Sequence, residues 1–233
     1  MNEPFVLLVG AGIALVLFVA YLGWVTARRR REEFFRFAAA NGLEYSAKDP
    51  FNTDELPFAL FRKGDGRDVE NMMWGTAAGM KVRLFDFSYY ETSTDAQGHS
   101  SRSTYRFSCA MADIDADCPH LVLGREGVLS RLADAIGFRD IEFESEEFNR
   151  SWQVTSEDRR FASAFIDPRM MEWLMVEGGS GAYEVIGPLL LCSTDRLKPA
   201  EYADLMALLS RFRAHVPAVV SSLYPRQTTE AGA

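Results

Sequence analysis

Residues Phe5 to Val25 run for twenty-one positions without a charged side chain. At about 1.5 Å per residue, a helix of that length spans about 31 Å, close to the ~30 Å hydrocarbon core of a bilayer. Backbone polar groups in that medium must bond within their own segment, so a helix is expected. Arg28, Arg29, Arg30 and Arg31 follow at once, while Asn2 and Glu3 ahead add no positive side chain. The asymmetry predicts a single-pass plasma-membrane protein with its N-terminus outside and its main domain in the cytoplasm. A cleaved leader is the rival reading, because Val25-Thr26-Ala27 loosely matches a small-residue cleavage site. Against it, the apolar run exceeds the usual ~7–15 residues and the positive charge lies on the wrong side.

Beyond the anchor, Arg28 to Ala40 lacks Gly and Pro, and Asn41-Gly42 is a good helix stop. The helix is therefore expected to continue past the bilayer. Phe34, Phe37 and Ala38 share one face, placed to dock on the following domain or to dip into the headgroups. Gly10 and Ala14 make a small-x-x-x-small pair that allows a homodimer through the anchor.

The remaining roughly 190 residues suffice for one sizeable core or two small ones. The net charge of −8 becomes −12 once the four clustered arginines are set aside. So acidic a body excludes nucleic acid as the expected partner. It leaves the bilayer for the arginine collar, at about 1 kcal/mol per basic residue near the surface. Cys109, Cys118 and Cys192 form no C-x-x-C pair, and reduced thiols suit the cytoplasm.

Lys48 to Asp68 reads as loop around an apolar patch at Phe58–Phe61. Met72–Gly75 and Lys81–Tyr90 read as strands joined by a turn at Ala77-Ala78-Gly79. Thr92 to Ser103 is polar and expected as a flexible hairpin tip. Tyr105, Phe107, Cys109 and Met111 then alternate with Arg106, Ser108 and Ala110, the pattern of a sheet with one covered face. A helix is expected over Glu126–Ile136, and strands at Ile141–Phe143, Trp152–Val154, Arg160–Ile166 and Tyr183–Cys192. Asp167-Pro168 opens a helix with Asp as N-cap, and Pro199 opens the last one, with Tyr202, Leu205, Leu209 and Phe212 on its apolar face. The fold class is α+β: an N-terminal transmembrane helix, then a mainly antiparallel sheet packed with about three to four helices. The expected organisation is an anchor at 1–27, a basic juxtamembrane helix at 28–42, a cytoplasmic α+β domain at 43–226 and a disordered tail at 227–233. A split into two halves near Gly137 is the alternative.

The stretch from Ile141 to Leu174 combines Glu144-Ser145-Glu146-Glu147-Phe148-Asn149-Arg150 with Trp152-Gln153-Val154 and Ser156-Glu157-Asp158. Ala162, Ile166, Asp167-Pro168-Arg169-Met170-Met171 and Leu174 follow. This segment resembles an uncharacterised family of bacterial single-pass membrane-anchored proteins, a domain of unknown function. The resemblance implies a membrane-tethered domain and carries over no catalytic residue.

No catalytic constellation, cofactor or metal site is assigned. Cys109, Cys118 and His120 supply three of the four ligands zinc wants, and Cys109 sits on an apolar strand face as a small hydrophobe. His99 and His215 complete no triad spacing. Gly64-Asp65-Gly66 and Gly178–Gly181 read as turns, without the ending of a phosphate-cradling loop. Asp86 interrupts an apolar strand, where pairing with Arg83 or Arg106 outweighs a pocket role. Glu142, Glu144, Glu146 and Glu147 form an acidic run, either a solvated edge or a docking surface. Arg28, Arg29, Arg30 and Arg31 are the membrane-surface residues. The function expected is a protein-interaction or adaptor module with an unidentified protein partner. The alternative is a membrane-tethered enzyme or small-ligand sensor.

Overall fold

The computed structural model describes residues 3–125 and 139–226. It opens with one unbroken helix, α1 (Glu3–Ala40). The helix closes as the Asn-Gly signal requires. Gly42 takes φ 68°, its N–H donates to Ala39 O, and the Leu43 N–H reaches back 2.9 Å to Ala38 O. Leu43 is itself buried, the apolar contact that accompanies this stop. Ala11–Ala40 is long and apolar enough to cross a membrane, and its most apolar window has no buried residue.

The chain then lays down β1 (Glu44–Lys48), β2 (Gly66–Ala77), β3 (Met80–Thr94) and β4 (Ser100–Arg125), each antiparallel to the last. Ala78 and Gly79 take φ 49° and 74°, the left-handed pair that a two-residue hairpin turn needs. The polar stretch expected as a flexible tip is ladder instead: β3 and β4 stay paired out to Thr94 and Ser100. Hydroxyls bond across the strands there, Ser93 to Ser101 at 2.8 Å and Thr94 to Ser100 at 3.2 Å. Only Asp95 to His99 turn, with the Asp95 carboxylate accepting from the Gln97 and His99 amides. Side chains that compete for backbone in a loop here support strand pairing.

After residue 138 come β5 (Arg139–Asp140), α2 (Glu146–Ser151), β6 (Trp152–Ser156), α3 (Arg159–Phe165), α4 (Pro168–Glu177), β7 (Ala182–Asp195), α5 (Tyr202–His215) and α6 (Ala218–Leu223). The sheet order is β1-β2-β3-β4-β6-β5, with β7 on β4. Along one edge the long β4 pairs first with β3 and then, from Leu121, with β6, while along the other it stays on β7 through register shifts between Asp113, Cys118 and Leu121.

Three further readings need correction. Arg160–Ile166 is a helix: Asp158 caps it, accepting from the Arg160 and Phe161 amides, and Phe161, Ala162 and Phe165 bury one face at helical spacing. Ile141–Phe143 is not a strand; the ladder ends at Asp140 with one further bond, from the Ile141 N–H to Val154 O at 2.8 Å, and Ser145 caps α2 instead. The sheet is covered on both faces. Leu84, Ala110 and Ala112 pack in a cluster with α1 and the later helices, while Phe85, Phe87, Cys109 and Met111 pack under Phe58, Leu60 and Phe61. The helix expected at Glu126–Ile136 and the tail at 227–233 lie outside the described residues. Asp167 caps α4 with Pro168 in its first turn, as the sequence predicts. Phe34 and Ala38 are fully buried and Phe35 is 61% exposed, so α1 docks by the face the spacing chose.

Candidate functional site

The joint between α1 and the sheet is a buried polar cluster. Asp86, only 7% exposed, accepts from Arg30 Nε at 2.8 Å and from Arg30 Nη2 at 2.7 Å. Asn71 Nδ2 donates to the same carboxylate at 2.9 Å, and the Tyr202 hydroxyl donates to it at 2.7 Å. Four elements thus meet at one side chain: α1, β2, β3 and α5. Asn71 reaches inward because it sits at φ 55° in a register shift of β2, a conformation Asn tolerates. The Arg30 guanidinium also lies 4.8 Å over Phe34, whose ring meets Tyr202 edge-on at 4.9 Å. Burial and the neighbouring Asp86 push the Tyr202 hydroxyl well above its ordinary pKa. Sequence spacing points Asp86 towards Arg83 or Arg106; its partner is Arg30. Of the four clustered arginines, Arg30 turns into the domain, while Arg28, Arg29 and Arg31 stay exposed.

On the opposite sheet face lies an open groove of about 430 Å3 beyond the Phe58–Phe61 cover, with Trp74, Lys81, Arg83, Met111 and Leu189 among its lining. Register sets Trp74, Arg83 and Met111 side by side across three strands. Phe51 forms one wall, edge-on to Trp74 at 5.1 Å and capped by Arg83 at 4.4 Å. The Asp49 carboxylate holds it by accepting from the Phe51 amide at 2.9 Å. The lining is mixed, with apolar Trp74, Met111 and Leu189 beside the cations Lys81 and Arg83 and the carboxylate Asp113, as a small-ligand groove with a few polar groups has.

A second buried carboxylate escapes the sequence reading. His120 Nε2 and Glu184 Oε1 lie 2.6 Å apart with both side chains buried, and the Ala59 amide donates to the same oxygen. Glu184 therefore ties the Phe58–Phe61 segment to β7. Its signal is the one that flags Asp86, a lone carboxylate in an apolar strand.

The structure does not bring Asp86 together with the acidic run. Glu142 and Glu144 are exposed between β5 and α2, and Glu146 and Glu147 occupy the first turn of α2. Carboxylates are favourable at that helix end. Cys109, Cys118 and Cys192 are buried thiols. Among the described residues, no group of three or more His, Cys, Asp or Glu side chains could hold a metal ion.

No family model matches the chain, and no curated protein matches it. Its fold is similar to that in the crystal structure of the mycobacterial trehalose monomycolate transport factor A, TtfA. The TM-score is 0.56 at 13% identity, covering 87% of this chain and 98% of that one. At that identity the likeness concerns the fold.

Proposed function

We propose that the chain is a single-pass membrane protein whose α+β domain serves on the cytoplasmic side as a protein-interaction or adaptor module. One observation carries the reading: α1 is a single helix, apolar and exposed over one part and built into the domain core at the other. Water is a poor solvent for Leu17, Phe18, Tyr21 and Trp24, each at least 58% exposed. Arg28, Arg29 and Arg31 then stand where anionic headgroups would meet them. The locked joint at Asp86 makes the segment from Arg28 to Ala40 a stiff post for the domain. The fold shared with a protein named as a transport factor fits a membrane-associated role without chemistry of its own. The exposed Glu142, Glu144, Glu146 and Glu147 offer a surface for a basic partner.

Carbonate washing of membranes tests the anchor, which should stay in the pellet. Topology is read with Ser222→Cys, since the three native thiols are buried. An impermeant maleimide should label the introduced thiol only after the cells are opened. Crosslinking in native membranes should return a protein partner. The groove at Trp74 and Arg83 supports a second reading, a tethered sensor of a small ligand. Saturable quenching of tryptophan fluorescence by such a ligand would favour it.

A further inference from the structure

One flank of α1, beside the face that docks on the domain, carries a continuous stripe. Ala14, Leu17, Tyr21, Trp24, Arg28, Arg31 and Phe35 follow one another at alternating steps of three and four, and Gly10 extends the spacing upstream. Those steps keep the seven residues on one stripe, along which a second helix can lie. All seven side chains are exposed. The seam ends in a shallow apolar notch lined by Arg31, Glu32, Phe35, Arg36, Tyr45 and Ala47, where Phe35 meets Tyr45 edge-on at 6.1 Å.

Lipid does not reach that notch. Phe35 lies ten residues past Val25, about 15 Å of helix, whereas the headgroup zone adds only about 5–8 Å on each side. A partner that covers both Trp24 and Phe35 must therefore leave the bilayer alongside α1. A second copy fits poorly, because Arg28 and Arg31 would face their own counterparts in successive layers. Both are weakly engaged within the chain. Arg28 meets Glu32 at 2.9 Å on an exposed surface and lies 5.6 Å from the Trp24 ring, and Arg31 meets Glu70 at 3.7 Å.

We infer that this face docks a membrane-spanning helix of another protein. That helix bears carboxylates just past the hydrocarbon on the cytoplasmic side, opposite Arg28 and Arg31, and an apolar or aromatic side chain that fills the Phe35–Tyr45 notch. Small Ala14 and Gly10 let the two backbones approach within the bilayer. The inference rests on the proposal that α1 spans the membrane, and it names the kind of partner.

The test uses the full chain in its own cells, with a photo-crosslinking benzoylphenylalanine at position 24, 35 or 29. Positions 24 and 35 lie on the seam, and exposed position 29 lies off it. Adducts at 24 and 35 should exceed those at 29 at least tenfold. The adduct peptide should map to a juxtamembrane or membrane-spanning helix of a different protein. Arg31→Glu should cut the position-35 adduct tenfold without moving the unfolding midpoint. A self-adduct, a soluble partner or no adduct at 35 overturns the docking seam. If the chain leaves carbonate-washed membranes, the anchor itself fails, and the seam with it.

Discussion

Arg30 and Asp86 stand 56 positions apart in the chain and meet through two hydrogen bonds, of 2.8 and 2.7 Å, at the joint between α1 and the sheet. Both side chains are largely buried, at 15% and 9% exposure. Two charges taken out of water need each other: either one alone is far costlier than the pair.

That asymmetry sets a double-mutant cycle. Asp86→Ala should destabilise the detergent-solubilised full chain by about 3–5 kcal/mol, and Arg30→Met by a comparable amount. The double variant should lose less than the two singles summed, since no unpaired charge remains. Urea midpoints measure all three. Strict additivity would mean that the pair does not join α1 to the sheet.

Caps give a second expectation. Asp158 and Asp167 each accept from backbone amides at the start of a helix, Asp167 from Met170 at 2.8 Å. Asp158→Ala and Asp167→Ala should each cost about 1 kcal/mol. Glu144→Gln, on an exposed residue outside any ladder, should stay within about 0.5 kcal/mol. Thermal unfolding compares them, and an Asp158→Ala change as small as Glu144→Gln would count against the cap.

Much of this fold is legible in the residues, and the misses share a cause. The α1 stop, the Ala78-Gly79 turn and the α4 start are readable because each depends on neighbours within one turn of chain. The Arg160–Ile166 stretch misleads because it is short and aromatic-rich, although Phe161, Ala162 and Phe165 recur at helical spacing behind Asp158. Asp86 is recognisable as a buried carboxylate needing a partner. That Arg30 supplies it is not, because a run of four arginines after an apolar span reads as one unit. Helical spacing sets Arg30 four residues before Phe34, on the docking face, but only tertiary packing brings that face to Asp86. Glu184 carries the flag that Asp86 does, a lone carboxylate in an otherwise apolar strand, but its partners Ala59 and His120 are again set by tertiary packing.

Glu184 offers a local test. Its Oε1 accepts from the Ala59 amide and lies against His120, and its Oε2 is buried without a hydrogen-bond partner. Glu184→Ala frees the Ala59 N–H from its acceptor, a loss of about 1–3 kcal/mol for a buried group. Amide exchange at Ala59 should then quicken by about ten- to a hundredfold. The Asn71 amide side chain, across the sheet at the α1 joint, should keep its protection. Unchanged exchange at Ala59 would show that Phe58 and Phe61 hold the segment by packing alone.

The thiols set a limit at high pH. Burial pushes Cys192 up to about 12, against the pull of a hydrogen bond from Tyr183, and pushes Cys118 up to about 12 as well. Cys109 and Tyr183 are also raised, chiefly by burial. The folded state keeps these groups protonated at a pH where the unfolded chain has released its protons. Their contribution is therefore complete below about pH 8.5 and is lost as pH rises towards 12, by up to about 1.4 kcal/mol per unit for each thiol. The urea midpoint should fall from pH 8.5 to 11, and Cys192→Ala should make that fall shallower. At pH 8 all three cysteines should resist iodoacetamide until denaturant is added. A flat midpoint, or rapid alkylation of the native chain, would mean that these sulfurs are in contact with water.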